Sequence, residues 1–475
     1  MSSLLLTTNL GRDCFKNSLR ILPIIYKLFT NLRTMLTIPK IVLVGVLLSF
    51  MCVANAQPTN PIKNQINQKA ESLEKKVVAW RRDFHQNPEL GNREFQTSAK
   101  VAAHLRSLGM EVQVNVAKTG VVGILKGGKP GPVVALRADM DGLPVTERVD
   151  IPFKSQVSTE YNGQKTGVMH ACGHDTHVAM LMGAAEALAS VRADLKGTVK
   201  FIFQPAEEGA PVGEEGGAKL MVKEGVLDNP KVDAIFGLHI NSMTEVGTIK
   251  YRPGATMAAV DQYAIKIKGK QTHGANPWAG VDPIVTAAQV VMGLQTIVSR
   301  NLSITDNPAV VTVGAIHGGI RQNIIPEEVN MIGTIRTFSP EHQALVHRRI
   351  NEIATNIAES AGAKAEVSVE IMYPVTYNDP KLTDQMVPTL EALAGKDNVL
   401  ITPAQTGAED FSFFQQKVPG FFYFLGGMPK GRKIEDAAPH HTPDFYIDEG
   451  SLVLGMKSLC HLTVDYMEQK ALAVK

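Results

Sequence analysis

Apolar positions recur along this chain with two different periods. Leu73, Val77, Trp80 and Phe84 fall at helical spacing, which predicts a helix over 69–90 that ends near Asn87-Pro88, because a residue before proline is driven out of the α region. A polar stretch from Gln57 to about Gln68 precedes it and reads as disordered. A second helix is predicted over 97–108, stopping at Gly109. Short apolar runs then alternate with helical patterns. Val133-Val134-Ala135-Leu136 reads as a strand ending at Asp139. Val199 to Phe203 is a strand running into Pro205-Ala206-Glu207-Glu208-Gly209, and Val232 to Leu238 is a strand that delivers His239 at its end. Val178, Leu181, Met182, Ala185 and Leu188 mark a helix between the first two. This alternation predicts an α/β fold, with a mostly parallel sheet covered by helices on both faces. In such a sheet the site lies outside the carboxyl ends of the strands.

The pattern changes near residue 255. Gln262 to Gly269 alternates polar and apolar, as a strand with one wet face does, and Val310 to Ile316 and Val329 to Arg336 add two more. Helices are predicted over 282–299 and 340–361. Residues 255–370 therefore read as an α+β module, an antiparallel sheet with helices on one face, inserted between two parts of a larger domain (57–254 and 371–475). Phe421 to Leu425 and a final helix carrying Leu452, Leu454, Met456 and Leu459 return to the first architecture.

Before residue 57 the chain has the marks of a leader. Lys40 is followed by an apolar run from Ile41 to Phe50 and then Ala54-Asn55-Ala56, the pattern of a secretory signal peptide cut after Ala56. The run is shorter than the about 20 residues of a membrane span. Met35 stands where such a segment starts and is an alternative initiator. The expected location is periplasmic or secreted. Residues 1–56 hold six of the 48 Lys and Arg and one of the 46 Asp and Glu, which leaves 42 basic and 45 acidic side chains beyond them. That balance asks for neither nucleic acid nor a membrane surface as partner. Only Cys172 and Cys460 lie beyond the leader, so a disulfide scaffold is excluded.

The candidate chemistry gathers where the apolar runs stop. Cys172, His174, Asp175 and His177 crowd one short segment; Glu207-Glu208, His239 and His440-His441 follow. Thiol and imidazole mixed with carboxylate suit zinc, manganese, cobalt or nickel better than calcium or magnesium. Adjacent carboxylates in an extended turn point different ways, so one of Glu207 and Glu208 can bind metal while the other takes a proton from water; the plain alternative is a solvated acidic turn. Alone, Cys172 would read as a buried small residue. Asp139 reads as a carboxylate orienting an imidazole, or as a cap or turn residue. Asp175 and His177 share that ambiguity, with helix capping favoured for Asp175. In the module, His273 could donate to a developing oxyanion once the module closes or pairs with a partner subunit, and is otherwise an exposed loop histidine. Asn323 could bind a substrate carbonyl or carboxylate, or simply serve a turn.

Leu136 to Pro144, Met169 to His174, Gln204 to Gly209, Gly237-Leu238-His239 and Gly407-Ala408-Glu409-Asp410-Phe411 together resemble the amidohydrolase branch of the aminoacylase/carboxypeptidase metallopeptidases, which includes hippurate hydrolases and auxin–amino acid conjugate hydrolases. The resemblance spans roughly residues 75–465. It implies that Cys172, His174, Glu208, His239 and His441 hold two divalent metals, His441 being preferred to His440 because it precedes Thr442-Pro443-Asp444-Phe445. It further implies Glu207 as general base, the inserted module as a lid that mediates homodimerisation, and His273 as its oxyanion donor. Arg137 departs from relatives that place a metal-binding histidine there. The expected activity is hydrolysis of the amide of N-acyl or N-aroyl amino acids. A carboxypeptidase or dipeptidase acting on short peptides is the nearest alternative, and a non-catalytic metal-binding protein on the same scaffold is a third.

Overall fold

The computed structural model describes residues 60–473; the leader expected over 1–56, its start and its cleavage site lie outside them. Helix α1 (Pro61–Gln86) and α2 (Phe95–Ser107) lead into strands β1 (Glu111–Val116), β2 (Gly120–Lys126) and β3 (Lys129–Asp139). Then come α3 (His174–Ser190), β4 (Lys196–Gln204), α4 (Gly217–Lys223), β5 (Ala234–Glu245) and β6 (Ile249–Tyr251). The inserted module contains β7 (Ala259–Lys268), α5 (Pro283–Thr296), β8 (Ala309–Gly318), β9 (Glu328–Thr337), α6 (Pro340–Ser360) and β10 (Lys364–Tyr373). The chain closes with α7 (Pro380–Ala394), β11 (Val399–Ile401), β12 (Gly420–Met428) and α8 (Leu452–Ala473).

The large sheet has the order β1-β2-β4-β3-β5-β12-β6-β11, and its centre, β4-β3-β5-β12, is parallel throughout. Helices cover both faces, so these strands read as continuous apolar runs. Val134 and Leu136 of β3, Val199, Phe201 and Phe203 of β4, and Phe236 of β5 pack on the face with α1, α3 and α8. Ala135, Ile202 and Ile235 point the other way, against Ala218 and Met221 of α4 and Phe411 and Phe414. Each fully buried Phe, Leu or Val there contributes about 1.5–3 kcal/mol.

The module is a four-stranded antiparallel sheet, order β8-β9-β7-β10. Tyr263, Ile265, Ile267, Val329 and Met331 point to α5 and α6, which pack Ala287, Val290, Leu294, Val346 and Ile350 against them. Capping fixes where those helices begin: Asp282 accepts from the N–H groups of Ile284 and Val285, and Ser339 from that of His342. Both module crossings meet in a small ribbon, in which Thr376 pairs with Met257.

Three sequence expectations are revised. Residues 61–68 are helical, not disordered, because Ile66 and Ala70 are fully buried against the core. His239 does not end its strand. β5 runs on to Glu245, and because Arg137 of β3 pairs with Gly237, His239 stands level with Asp139, the last residue of β3. The module's last strand continues to Tyr373, three residues past the expected boundary.

A buried ionic network fastens α1 to the start of α3. Arg81 Nε lies 2.8 Å from Asp175 Oδ2, an ion contact without hydrogen-bond alignment, and His85 bridges Asp175 (2.9 Å) and Glu147 (3.2 Å). Burial opposes ionisation of Asp175, but Arg81 and His85 outweigh it and hold its carboxyl below the usual range. A depressed carboxyl contributes stability above its unfolded pKa, about 3.9, and that contribution is lost as pH falls through the folded value. Arg81→Met is expected to cost about 3 kcal/mol at neutral pH, with the difference from wild type shrinking below about pH 4. Urea unfolding of the metal-free proteins across pH measures both; equal stabilities at pH 7 contradict it.

Candidate metal centre

Gly173 determines how Cys172 and His174 are presented. Its φ is +88°, and a Cβ there would stand 2.3 Å from Ile240 Cγ2, so only glycine allows the chain to turn between Cys172 and the helix that opens at His174. His174 donates Nδ1–H to the Asp141 carbonyl (2.9 Å), and His239 donates Nδ1–H to the Ile240 carbonyl (2.6 Å). Carbonyls only accept, so each Nδ1 carries a proton and Nε2 is the ring nitrogen turned toward the site. Cys172 Sγ lies 3.4 Å from His239 Nε2 and 3.3 Å from His441 Nε2, and His441 Nε2 lies 2.9 Å from Glu208 Oε1. The potential ligand atoms of Cys172, His174 and His239 fall within 4.8 Å of one another, as do those of Cys172, Glu208 and His441. Cys172 belongs to both groups, the place of a ligand shared by two ions.

The donor set fits metal. His174 Nε2 and Glu208 Oε1 are buried without a hydrogen-bond partner. Burial and the carboxylates of Glu208 and Glu207 push the Cys172 thiol well above its ordinary pKa. Although burial lowers the pKa of His174, Asp139, Asp141 and Glu208 raise it to about 10. Left to themselves Cys172 and His174 would hold protons; divalent cations would replace those protons and balance the carboxylates.

His440 and His441 are separated by their hydrogen bonds. The Ser242 N–H donates to His440 Nε2 (3.2 Å), so the ring proton sits on Nδ1, which faces Cys172 Sγ at 3.5 Å as a donor. His441, at φ +64°, leaves Nε2 beside both Glu208 and Cys172. His177 is occupied in the same sense as His440: Nε2 accepts from the Ile240 N–H (2.8 Å) and Nδ1–H donates to Asp139 (2.6 Å). Asp139 thus orients an imidazole, but that of His177; it is fully buried and does not face the cleft. Asp175 serves the ionic network rather than a cap.

Glu207 and Glu208 both approach His174 Nε2 but differ in what else they reach. Glu207 is nearly buried, with Oε2 3.8 Å from His174 Nε2 and Oε1 accepting from the Asp410 N–H at 3.4 Å. Burial and the carboxylates of Glu409, Glu208 and Asp410 push its pKa well above the usual range. Under it lies a network that the sequence reading did not identify. Arg137, wholly buried, binds Gln204 (2.8 Å), Asp139 (2.5 Å), Glu409 (2.9 Å) and Asp410 (3.0 Å). Even so, burial and Glu409 keep Asp410 raised to about 8. A lone arginine in the apolar run of β3 was the available signal. Tyr373, the last residue of the module's sheet, donates its hydroxyl to the Glu207 carbonyl (2.8 Å).

A cleft of about 1210 Å³ opens from these residues to the face of the module's sheet that lacks helices. Met257, Val260, Met372 and Phe424 give it apolar walls, and Arg336 of β9 lines it half-buried, with no carboxylate at ion-pairing distance among the described residues. His273 and Asn323 do not line it. They adjoin each other at the module's end, where the Gly274 N–H bonds the Asn323 carbonyl (2.8 Å), and both are exposed.

The hydrogen-bond roles predict unequal effects of removing the two adjacent histidines. After dialysis, His441→Ala should retain about one metal per chain fewer than wild type, whereas His440→Ala should keep the full number, bound roughly tenfold more weakly. Elemental analysis and chelator competition read both; equal metal loss in the two variants removes the distinction.

Known proteins share this arrangement of motifs. Residues 135–465 match peptidase family M20/M25/M40. The chain is 40% identical over 407 residues to thermostable carboxypeptidase 2 of Saccharolobus solfataricus, covering 85% of this chain and 98% of that one. It is 38% identical over 420 residues to IAA-amino acid hydrolase ILR1-like 4 of Arabidopsis thaliana, covering 88% and 91%. Among solved structures, a dinuclear metal-binding peptidase of Bacillus subtilis superposes with a TM-score of 0.70 at 36% identity, over 84% of this chain and 99% of that one. The ligand geometry and the span of these matches agree: this chain is a metal-dependent hydrolase and belongs to peptidase family M20/M25/M40.

Proposed function

We propose that this protein, exported by its leader to the periplasm or beyond the cell, hydrolyses the amide bond of N-acyl or N-aroyl amino acids. The observation that carries the reading is the pairing, in one cleft, of a divided carboxylate pair with an unpaired cation. Glu208 stands among the ligand atoms and Glu207 beside them, while Arg336 waits on the module wall for an anion such as an amino acid's carboxylate. Cys172, His174, Glu208, His239 and His441 would hold two divalent transition ions, which when bound supply an acidified water and a polarised carbonyl. Glu207 takes the water's proton and passes it to the leaving nitrogen. Apolar Met257, Val260, Met372 and Phe424 receive the acyl group and exclude water from it.

His273 and Asn323 act in this reading from a partner subunit, since within one chain they stay outside the cleft. The partner docks along the module, whose edge strand β8 and neighbouring segments leave Val310, Ile316 and Ile320 exposed. A carboxypeptidase acting on short peptides would use the same groups, and the 40% identical archaeal relative favours that alternative.

Glu207→Gln is expected to keep its metals and lose hydrolysis by at least about 10²-fold, measured as kcat on hippurate and N-acetyl amino acids beside elemental analysis. Arg336→Met should raise KM for those substrates about tenfold or more while leaving metal content unchanged; an unchanged KM excludes Arg336 as the anion site. Dipeptides with a free amine, cleaved faster than any N-acyl amino acid, would transfer the assignment to the peptidase alternative. Mixing Glu207→Gln with His273→Ala should restore roughly a quarter of wild-type activity, because each mixed dimer holds one complete site; a mixture that stays inactive rules out action across the dimer.

A further inference from the structure

We infer that Asp141 is the positioning residue that sets the separate roles of Glu207 and Glu208, an inference that rests on the metal centre proposed above. Asp141 lies two residues past the end of β3 and is 2% exposed. Its Oδ1 accepts the N–H of Glu207 and its Oδ2 the N–H of Glu208, each at 3.0 Å. Its main-chain carbonyl accepts Nδ1–H of His174 at 2.9 Å. One residue therefore holds the backbone of the base, the backbone of a carboxylate ligand and the ring of an imidazole ligand.

The turn it holds is unusual. Ala206 has φ +49°, a left-handed conformation costly to any residue with a Cβ, and its N–H goes to Glu94 Oε1 at 2.8 Å. Three successive N–H groups thus converge on two buried carboxylates, a concave nest of the kind that binds anions. Gripping consecutive peptide groups by separate oxygens fixes the rotation between them. Both carboxylates approach His174 Nε2, at 3.8 Å and 4.0 Å, and beyond it they part, Glu208 toward His441 and Cys172, Glu207 toward the Asp410 N–H. Charge-assisted bonds to both N–H groups make the grip firm in the absence of any ligand. An asparagine cannot reproduce it, since its single oxygen satisfies one N–H while its amide nitrogen confronts the other.

The test compares wild type with Asp141→Asn, each prepared metal-free and titrated with Co²⁺. Expected for the variant is a 10–100-fold weaker cobalt affinity with an altered d–d absorption envelope, while the thiolate-to-cobalt band from Cys172 persists. Cobalt affinity and d–d spectrum identical to wild type overturn the inference. Hydrogen exchange on metal-free wild type keeps it falsifiable should the variant fail to fold. Slow exchange of the Glu207 and Glu208 amides shows the bracket preformed, and exchange as fast as in an open loop overturns it. None of these readouts uses an amide substrate, so a protein that binds cobalt normally yet cleaves no N-acyl amino acid defeats the proposed function alone.

Discussion

The guanidinium of Arg137 is the interaction on which the site depends. Asp139, Glu207, Glu409 and Asp410 all lie at the carboxyl edge of one sheet, each nearly or wholly removed from water. Like charges so placed cannot share a dry interior without a fixed cation among them. Arg137 supplies it from inside β3, with nitrogens directed to Asp139, Glu409, Asp410 and the Gln204 amide. The motif that carries Glu409 and Asp410 is thereby tied to the ends of β3 and β4. Glu207 rests on that platform, where burial and the carboxylates of Glu409 and Asp410 raise its proton affinity against the pull of Arg137.

Much of this was visible in sequence because parallel strands buried on both faces must be apolar, and the residues that break such runs are the informative ones. Glu207 and Glu208 stood out for that reason, and Cys172 only through the histidines beside it. The inserted sheet was visible in its alternation, though β10 was overlooked despite the clean pattern Ala365, Val367, Val369. What could not be read was the second partner of each group. His177 and His440 have the composition of ligands, and only the backbone amides of Ile240 and Ser242, distant in sequence, disqualify them. Asp141 resembled any turn residue until the two amides it accepts were placed. His273 and Asn323 were each singled out in the sequence, but that they adjoin each other outside the cleft depends on the pairing of distant segments, which no local pattern encodes.

The two ionic centres differ in what they support. The Arg137 cluster adjoins Glu207 and orders the floor of the cleft. The Arg81, Asp175, His85 and Glu147 network lies behind α3 and holds the helix that begins with His174. Hydrophobic packing brings α1, α3 and α8 together, but packing alone tolerates small slips along a helix axis. A buried charge paired at both ends does not, so the position of His174 along its own axis is fixed from behind.

The ribbon formed by Met257 and Thr376 joins the module to the larger domain, and Met257, Val260, Met372 and Tyr373 around it are also cleft wall. Any swing of the module therefore pivots at the floor of the cleft. Lever-arm geometry then makes displacement smallest beside Glu207, where the Tyr373 hydroxyl is anchored, and largest at the far end that carries His273 and Asn323. A swing of the module would thus widen the mouth of the cleft while leaving Glu207 nearly in place.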